Sequence, residues 1–362
     1  MPPPPSRIKG RGAAGNPVGR FEATRHEAED DGWWQDDEPS ALRTQVTIEQ
    51  ARSVITRNDS PDLPFDLALN PYRGCEHGCI YCYARPTHEY LNLSSGLDFE
   101  TRLYAKENAA EVLRRELAKP GHVVSPINLG ASTDPYQPVE HRHRVTRSVL
   151  EVLAETRHPL TIVTKNALVL RDLDLLRVLA RDGLVQVFLS VTTLDNRLAS
   201  RLEPRASAPH ARLRAVAELT AAGVPVGVFV APVIPAITDA EMESVMQAAR
   251  EAGASTVSYT LVRLPHQVAP LFREWLDVHF PDRAAHVMSL IQQMRGGRDN
   301  DPRFGSRMRG EGLFADLLKR RFEIARKRLG FATREQHVGL RCDLFLAPAK
   351  PKPASPQGDL FG

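Results

Sequence analysis

Six short apolar runs alternate with helical patterns along this chain, and no other feature limits its fold as tightly. The runs are DLALN at 66–70, VSPINLG at 124–130, LTIVT at 160–164, VQVFLSVT at 185–192, VPVGVFV at 224–230 and STVSYTLV at 255–262. Several are β-branched and almost continuously apolar, which suits parallel strands buried on both faces. Between them lie ENAAEVLRRELAK, VTRSVLEVLAET, LRDLDLLRVLARDG, PHARLRAVAELTAAG and DAEMESVMQAAREAG. Three of these end in glycine, at Gly183, Gly223 and Gly253, where a helix stop is expected. Such alternation predicts a parallel α/β sheet, open or partly closed as a barrel. Chemistry in these folds collects at the C-terminal ends of the strands.

The 362 residues suffice for one large domain with tails or for two domains. Apolar content of 42% and charged content of 25% match a soluble globular protein. Four cysteines are too few for a disulfide scaffold of this length. The N-terminus has no apolar signal region, and VPVGVFVAPVIPAI is short and broken by Pro225, Pro232 and Pro235. A reducing cytoplasm and no membrane partner are therefore expected. There, clustered thiols mean metal or redox chemistry.

Composition divides the chain into an unstructured tail at 1–45, a core at 46–265, a basic helical extension at 266–340 and a Pro-rich tail at 341–362. The pair Trp33–Trp34 reads as an anchor of the first tail onto the domain surface. Net charge is +3, but 295–328 carries eleven Lys or Arg against five Asp or Glu. That stretch suits either phosphate binding or a solvated helix face with i,i+4 pairs.

Three of the four cysteines fall in CEHGCIYC, as Cys75, Cys79 and Cys82. Gly74 and Gly78 let the backbone there turn sharply. A structural zinc site would need a fourth ligand, such as His77 or His88. A ferredoxin-type cluster would need a fourth thiolate. A [4Fe-4S] cluster on three thiolates leaves one iron open to a ligand, and it fits the spacing best.

CEHGCIYC, with the aromatic Tyr81, resembles the signature of the radical SAM superfamily. The resemblance spans about residues 64–265 and implies a partial (β/α)6 TIM-like barrel. It also implies a [4Fe-4S] cluster on Cys75, Cys79 and Cys82 whose open iron binds S-adenosyl-L-methionine (SAM). Reduction by a donor such as flavodoxin or ferredoxin would then cleave SAM to a 5′-deoxyadenosyl radical. NLGASTDPYQPVE, IVTKN, FLSVTTLD and RLEPRASAPHARLRAVAELTAAGVPVGVFVAPVIPAITD are similar to the spore photoproduct lyase-related branch, also labelled DNA repair photolyase. By that resemblance, Ser132, Thr133 and Asp134 accept hydrogen bonds from the methionyl ammonium and ribose of SAM. Lys165 meets its carboxylate, and Ser190 and Thr192 meet its ribose or carboxylate. The backbone near Val230 and Ala231 pairs with its adenine edge. Read without the resemblance, Asp134 starts a turn before Pro135, and Lys165 and Ser190 are polar rim residues.

The lyases carry a hydrogen-donating cysteine at the position of Ala131, and Cys342 is the one thiol left to replace it. MRGGRDNDPRFGSRMRGEG and both tails have no counterpart there and set the chain in a separate bacterial subgroup. His88, Glu89, Glu140, His141 and His143 are candidates for acid or base work. The basic extension and the lyase-like core point to DNA or another nucleic acid as substrate, in repair or modification. The alternatives are a radical enzyme for a protein or small metabolite, and a non-catalytic iron-sulfur DNA-binding protein. The final PQGDLFG resembles a sliding-clamp-binding peptide, with Leu360 and Phe361 as anchors and Gln357 at the groove rim.

Overall fold

The computed structural model describes residues 8–21, 42–333 and 339–349. Trp33, Trp34 and the clamp-like Gln357, Leu360 and Phe361 lie outside the described residues. In chain order the strands are β1 (Gln45–Ile48), β2 (Ile55–Arg57), β3 (Leu67–Leu69), β4 (Tyr72–Arg73) and β5 (Arg102–Ala105). They continue as β6 (Ile127–Leu129), β7 (Leu160–Thr164), β8 (Val185–Ser190), β9 (Val226–Val233) and β10 (Thr256–Leu261).

The main sheet has the order β10-β9-β8-β7-β6-β3-β2. From β3 to β10 every pairing is parallel and follows the chain, and β2 lies antiparallel on the outer edge of β3. All six expected strands are present, joined by helices Ala109–Leu117, Val145–Glu155, Leu173–Arg181, Pro209–Ala221 and Met242–Glu251. Among the described residues β2 and β10 remain separate edges, so the barrel is partial. Ile127, Leu129, Leu160, Ile162, Val185, Val187 and Leu189 are fully buried, as strands sandwiched between core and helices require. Each such side chain contributes about 1.5–3 kcal/mol. The helix stops are glycine-dependent: Gly253 has φ +97°, and an ideal Cβ there would sit 2.8 Å from Thr220 Cγ2.

A second sheet, β1-β5-β4, carries no sequence signal because its strands are only two to four residues long. Residues 8–21, which composition places in a tail, pack on the core instead. The amides of Gly12 and Ala13 each donate to the Glu100 carboxylate at 2.9 Å, and Arg11 Nη1 donates to Glu100 O at 3.0 Å. Backbone amides hold this segment, so no apolar periodicity announces it.

The extension is helical, as expected, with helices Val268–His279, Ala284–Gln293 and Leu313–Arg328. The last is tied to helix Met242–Glu251 by Arg321 and Glu243 at 2.6 Å, and its Phe322 packs on Tyr259. Residues 341–349 run along the N-terminal ends of the strands. Arg341 N donates to Gly183 O, Leu346 N donates to Thr156 O, and Phe345 sits on His122 and His158.

Candidate functional site

The cysteine loop leaves the C-terminal end of β3. Cys75 and Cys79 are buried, Cys82 is partly so, and all three thiols are free. Gly74 and Gly78 have φ of +75° and +66°. A Cβ on Gly78 would lie 2.8 Å from Glu100 Oε2, so the loop admits no side chain there. Arg85, fully buried, holds the loop with every N–H it has. Its Nε donates to Cys79 O, its Nη1 to Ser95 O and Gly96 O, and its Nη2 to Gly78 O and the Glu100 carboxylate. From the other side Thr133 Oγ1 donates to Gly74 O at 2.6 Å, and Gln137 bonds Gly74 O, Thr133 Oγ1 and the Glu76 amide.

Burial pushes all three thiols above their ordinary range, so they favour the protonated form until a cation displaces the proton. The amide of Asp134 beside Cys75, and those of Ala84 and Arg85 beside Cys82, favour the thiolates. A mononuclear zinc centre does not fit. His77 has both ring nitrogens engaged, by Asp134 Oδ2 at 3.3 Å and Asn166 Nδ2 at 3.2 Å, while His88 gives Nε2 to Arg102 O and keeps a buried Nδ1 without a partner. Among the described residues no three His, Cys, Asp or Glu side chains surround one ion position. Three free thiols on one glycine-shaped loop fit a polynuclear cluster, which takes each thiolate on a different iron.

A buried network adjoins the loop at the ends of β7, β8 and β9. Glu203, at the end of helix Asn196–Leu202, accepts from Arg212, Tyr81 OH and Thr192 Oγ1, the last at 2.6 Å. Lys165 Nζ lies 3.8 Å from Glu203 Oε1, 3.4 Å from Ala231 O and 5.9 Å from the Tyr81 ring centre. Burial alone would raise the Glu203 carboxyl. Arg212, then Lys165, then the two hydroxyls outweigh it and bring its pKa to about 2. Tyr81 shifts the opposite way, through burial and Glu203, and stays a protonated donor. Arg212 spends its other donors on Ser207 O and Ser190 O. Lys165 retains N–H capacity that no acceptor among the described residues takes up.

The structure thus brings Tyr81, Lys165, Ser190, Thr192 and Ala231 together around Glu203. It sets Ser132, Thr133 and Asp134 against the cluster loop. Within the chain they also have partners of their own. Asp134 has four donors for about four lone-pair positions: Tyr136 N and Thr164 Oγ1 on Oδ1, Lys165 N and His77 Nδ1 on Oδ2. It ties β6, β7 and the cluster loop together and includes the turn read from Asp-Pro. Thr133 is likewise committed to the loop, whereas the Ser132 hydroxyl has no hydrogen bond among the described residues. The Val230 side chain is in the core, and the Ala231 carbonyl already receives Lys165 and Thr192.

Arg85, Glu100, Gln137, Glu203 and Arg212 were not legible as site residues. The clue available was their charge or polarity inside segments that otherwise read as buried. Three of the five acid-base candidates have structural partners: Glu89 with Arg20 and Ser95, Glu140 with Tyr72, Thr146 and Arg171, His143 with Glu107. Cys342 follows Arg341, whose amide bonds Gly183 before β8, so it lies at the opposite end of the sheet from the cluster loop. That end is remote from Ala131, at the exit of β6.

The sequence profile of the radical SAM superfamily matches residues 69–249. An uncharacterized protein of Mycobacterium tuberculosis is 37% identical over 233 residues, covering 64% of this chain and 68% of that protein. The radical SAM Nalpha-GlyT isomerase of Pseudomonas phage M6 is 23% identical over 269 residues, covering 74% of this chain and 51% of the phage protein. Spore photoproduct lyase complexed with dinucleoside spore photoproduct superposes with a TM-score of 0.47 at 17% identity, over 65% of this chain and 66% of the lyase. The profile match runs from the end of β3 into the last helix before β10, across the whole cysteine loop and the network beside it. The chain belongs to the radical SAM superfamily, whose members use a [4Fe-4S] cluster and SAM.

Proposed function

We propose that this protein is an enzyme whose SAM-derived radical acts on nucleic acid, in DNA repair or modification. When bound, the cluster and SAM supply a 5′-deoxyadenosyl radical that abstracts hydrogen. Cys75, Cys79 and Cys82 hold the cluster. Lys165, Ser132, Ser190 and Thr192 hold SAM, with Lys165 on its carboxylate. The chain's other site residues position these: Arg85 and Glu100 brace the loop, Asp134 joins it to β7, and Glu203 draws Lys165 and Tyr81 to one side. The depth of burial keeps water from the reacting centre.

The observation that carries the nucleic-acid assignment is the charge left over on the extension. Arg303, Arg307, Arg321 and Arg326 are consumed by carboxylates, and Arg295 by backbone carbonyls. Arg298, Arg309, Lys319, Arg320, Lys327 and Arg328 are exposed and have no ion pair among the described residues. Such a surplus suits a phosphate backbone. The isomerase name of the phage relative supports radical catalysis over passive binding. With three cysteines on the cluster and Cys342 remote, no thiol of this chain returns a hydrogen to the product, so the reading departs from thiol-quenched dimer reversal. A flavodoxin or ferredoxin as electron donor and a sliding clamp on the C-terminal peptide belong to the same proposal. No helix among the described residues is long and apolar enough to cross a membrane.

Anaerobic reconstitution with iron and sulfide, then dithionite, SAM and DNA, tests the proposal. Release of 5′-deoxyadenosine that rises with DNA is expected. Release that ignores both DNA and RNA would move the substrate to a protein or metabolite. No release from a reducible cluster would favour the binding protein.

A further inference from the structure

The end of β10 places a guanidinium without a carboxylate beside the cluster loop. Arg263 Cζ lies 5.4 Å from the ring centre of Tyr83, the residue after Cys82. Tyr83 is half exposed, and its hydroxyl donates to Ala131 O at the exit of β6. Among the described residues Arg263 has no ion pair. Its one hydrogen bond runs from Nη1 to Met308 Sδ at 3.8 Å, and its Nε is buried with no partner.

The segment 295–312 builds the rest of this corner. Leu261 N donates to Met308 O, and the buried Arg295 bonds the carbonyls of Val262, Ser306 and Arg307. This brings Arg307 near Arg263, with its own guanidinium 4.5 Å from the ring centre of the exposed Phe304. The nearby carboxylates are spoken for: Asp62 bonds Arg307, and Asp301 bonds Arg303 and Ser306. Burial and Arg307 both push the Arg263 pKa down, as for a cation lacking its anion. A planar guanidinium matches a phosphate in bidentate fashion, and exposed rings beside it stack bases.

We infer that Arg263, with the ring of Tyr83 beside it and the ring of Phe304 that packs on the Asp62-bound Arg307, forms a subsite that holds one phosphodiester and its flanking base at the mouth of the radical site. The inference rests on the nucleic-acid reading above and names where the strand sits. The test is fluorescence anisotropy with a short labelled oligothymidylate, at stepped salt, on the full reconstituted chain. Arg263→Gln is expected to weaken binding about tenfold and to lower the salt slope by about 0.7, the share of one phosphate contact on a single strand. Arg263→Lys should restore the slope but not the full affinity. Phe304→Ala, at an exposed position, should weaken binding with the slope unchanged. Iron content serves as the fold control. Equal affinity and slope for wild type and Arg263→Gln would overturn the subsite and leave the nucleic-acid reading standing. No binding by the wild type would overturn both.

Discussion

Arg85 and Glu100 form an ion pair with both side chains fully buried, and that pair is the keystone of the cysteine loop. The guanidinium faces Gly78 O and Cys79 O, and the carboxylate faces the amides of Gly12 and Ala13. One pair thus joins the loop, helix Leu97–Thr101 and the N-terminal segment. Breaking a buried pair strands a charge and costs about 3–5 kcal/mol. Arg85→Ala should therefore lower stability by that order in chemical denaturation and sharply reduce iron uptake. Normal stability and iron content would refute the bracing role.

Cys75→Ala, Cys79→Ala or Cys82→Ala should each abolish SAM cleavage and remove the absorbance of the reconstituted cluster. Cys342→Ala should retain both, since Cys342 lies at the far end of the sheet. Cleavage surviving a loop cysteine substitution would refute the ligand assignment.

Glu203 makes stability depend on acid. Its pKa of about 2 in the folded chain lies below the ordinary 4.5. The stability it contributes is fully present above about pH 4.5 and is lost as pH falls toward 2. Glu203→Gln should flatten the stability profile across that interval and lower stability at neutral pH, because Arg212 stays buried without its partner. An unchanged profile would show that Glu203 does not carry the charge assigned to it.

If Lys165 holds the SAM carboxylate as proposed, Lys165→Met should weaken SAM binding tenfold or more, about 1.4 kcal/mol. Equilibrium dialysis with the reconstituted protein measures this. Equal affinity would leave Lys165 as a partner of Glu203 alone.

Gly253→Ala and Gly78→Ala separate fold from site. Both glycines have positive φ and a crowded Cβ position, so each substitution should cost about 1 kcal/mol or more. Only Gly78→Ala should also reduce iron content. Reduced iron in both would indicate a general folding defect.

The six strands and five connecting helices were legible because burial on both faces leaves continuous apolar runs, and amphipathic helices leave a local period. The cluster loop was legible because its three thiols lie within eight residues. The packed segment at 8–21 and the sheet β1-β5-β4 were not, since backbone hydrogen bonds hold them and impose no side-chain pattern. The sequence alone determined the alternating parallel α/β class of the main sheet and the three clustered thiols of the loop. Tertiary structure decided which polar residues serve it. Glu203 meets Tyr81 across 122 residues of chain, Asp134 meets Lys165 across 31, and Cys342 is carried to the opposite end of the strands. Periodicity records burial residue by residue, but the pairing of buried charges depends on which loops the folded sheet brings to one rim.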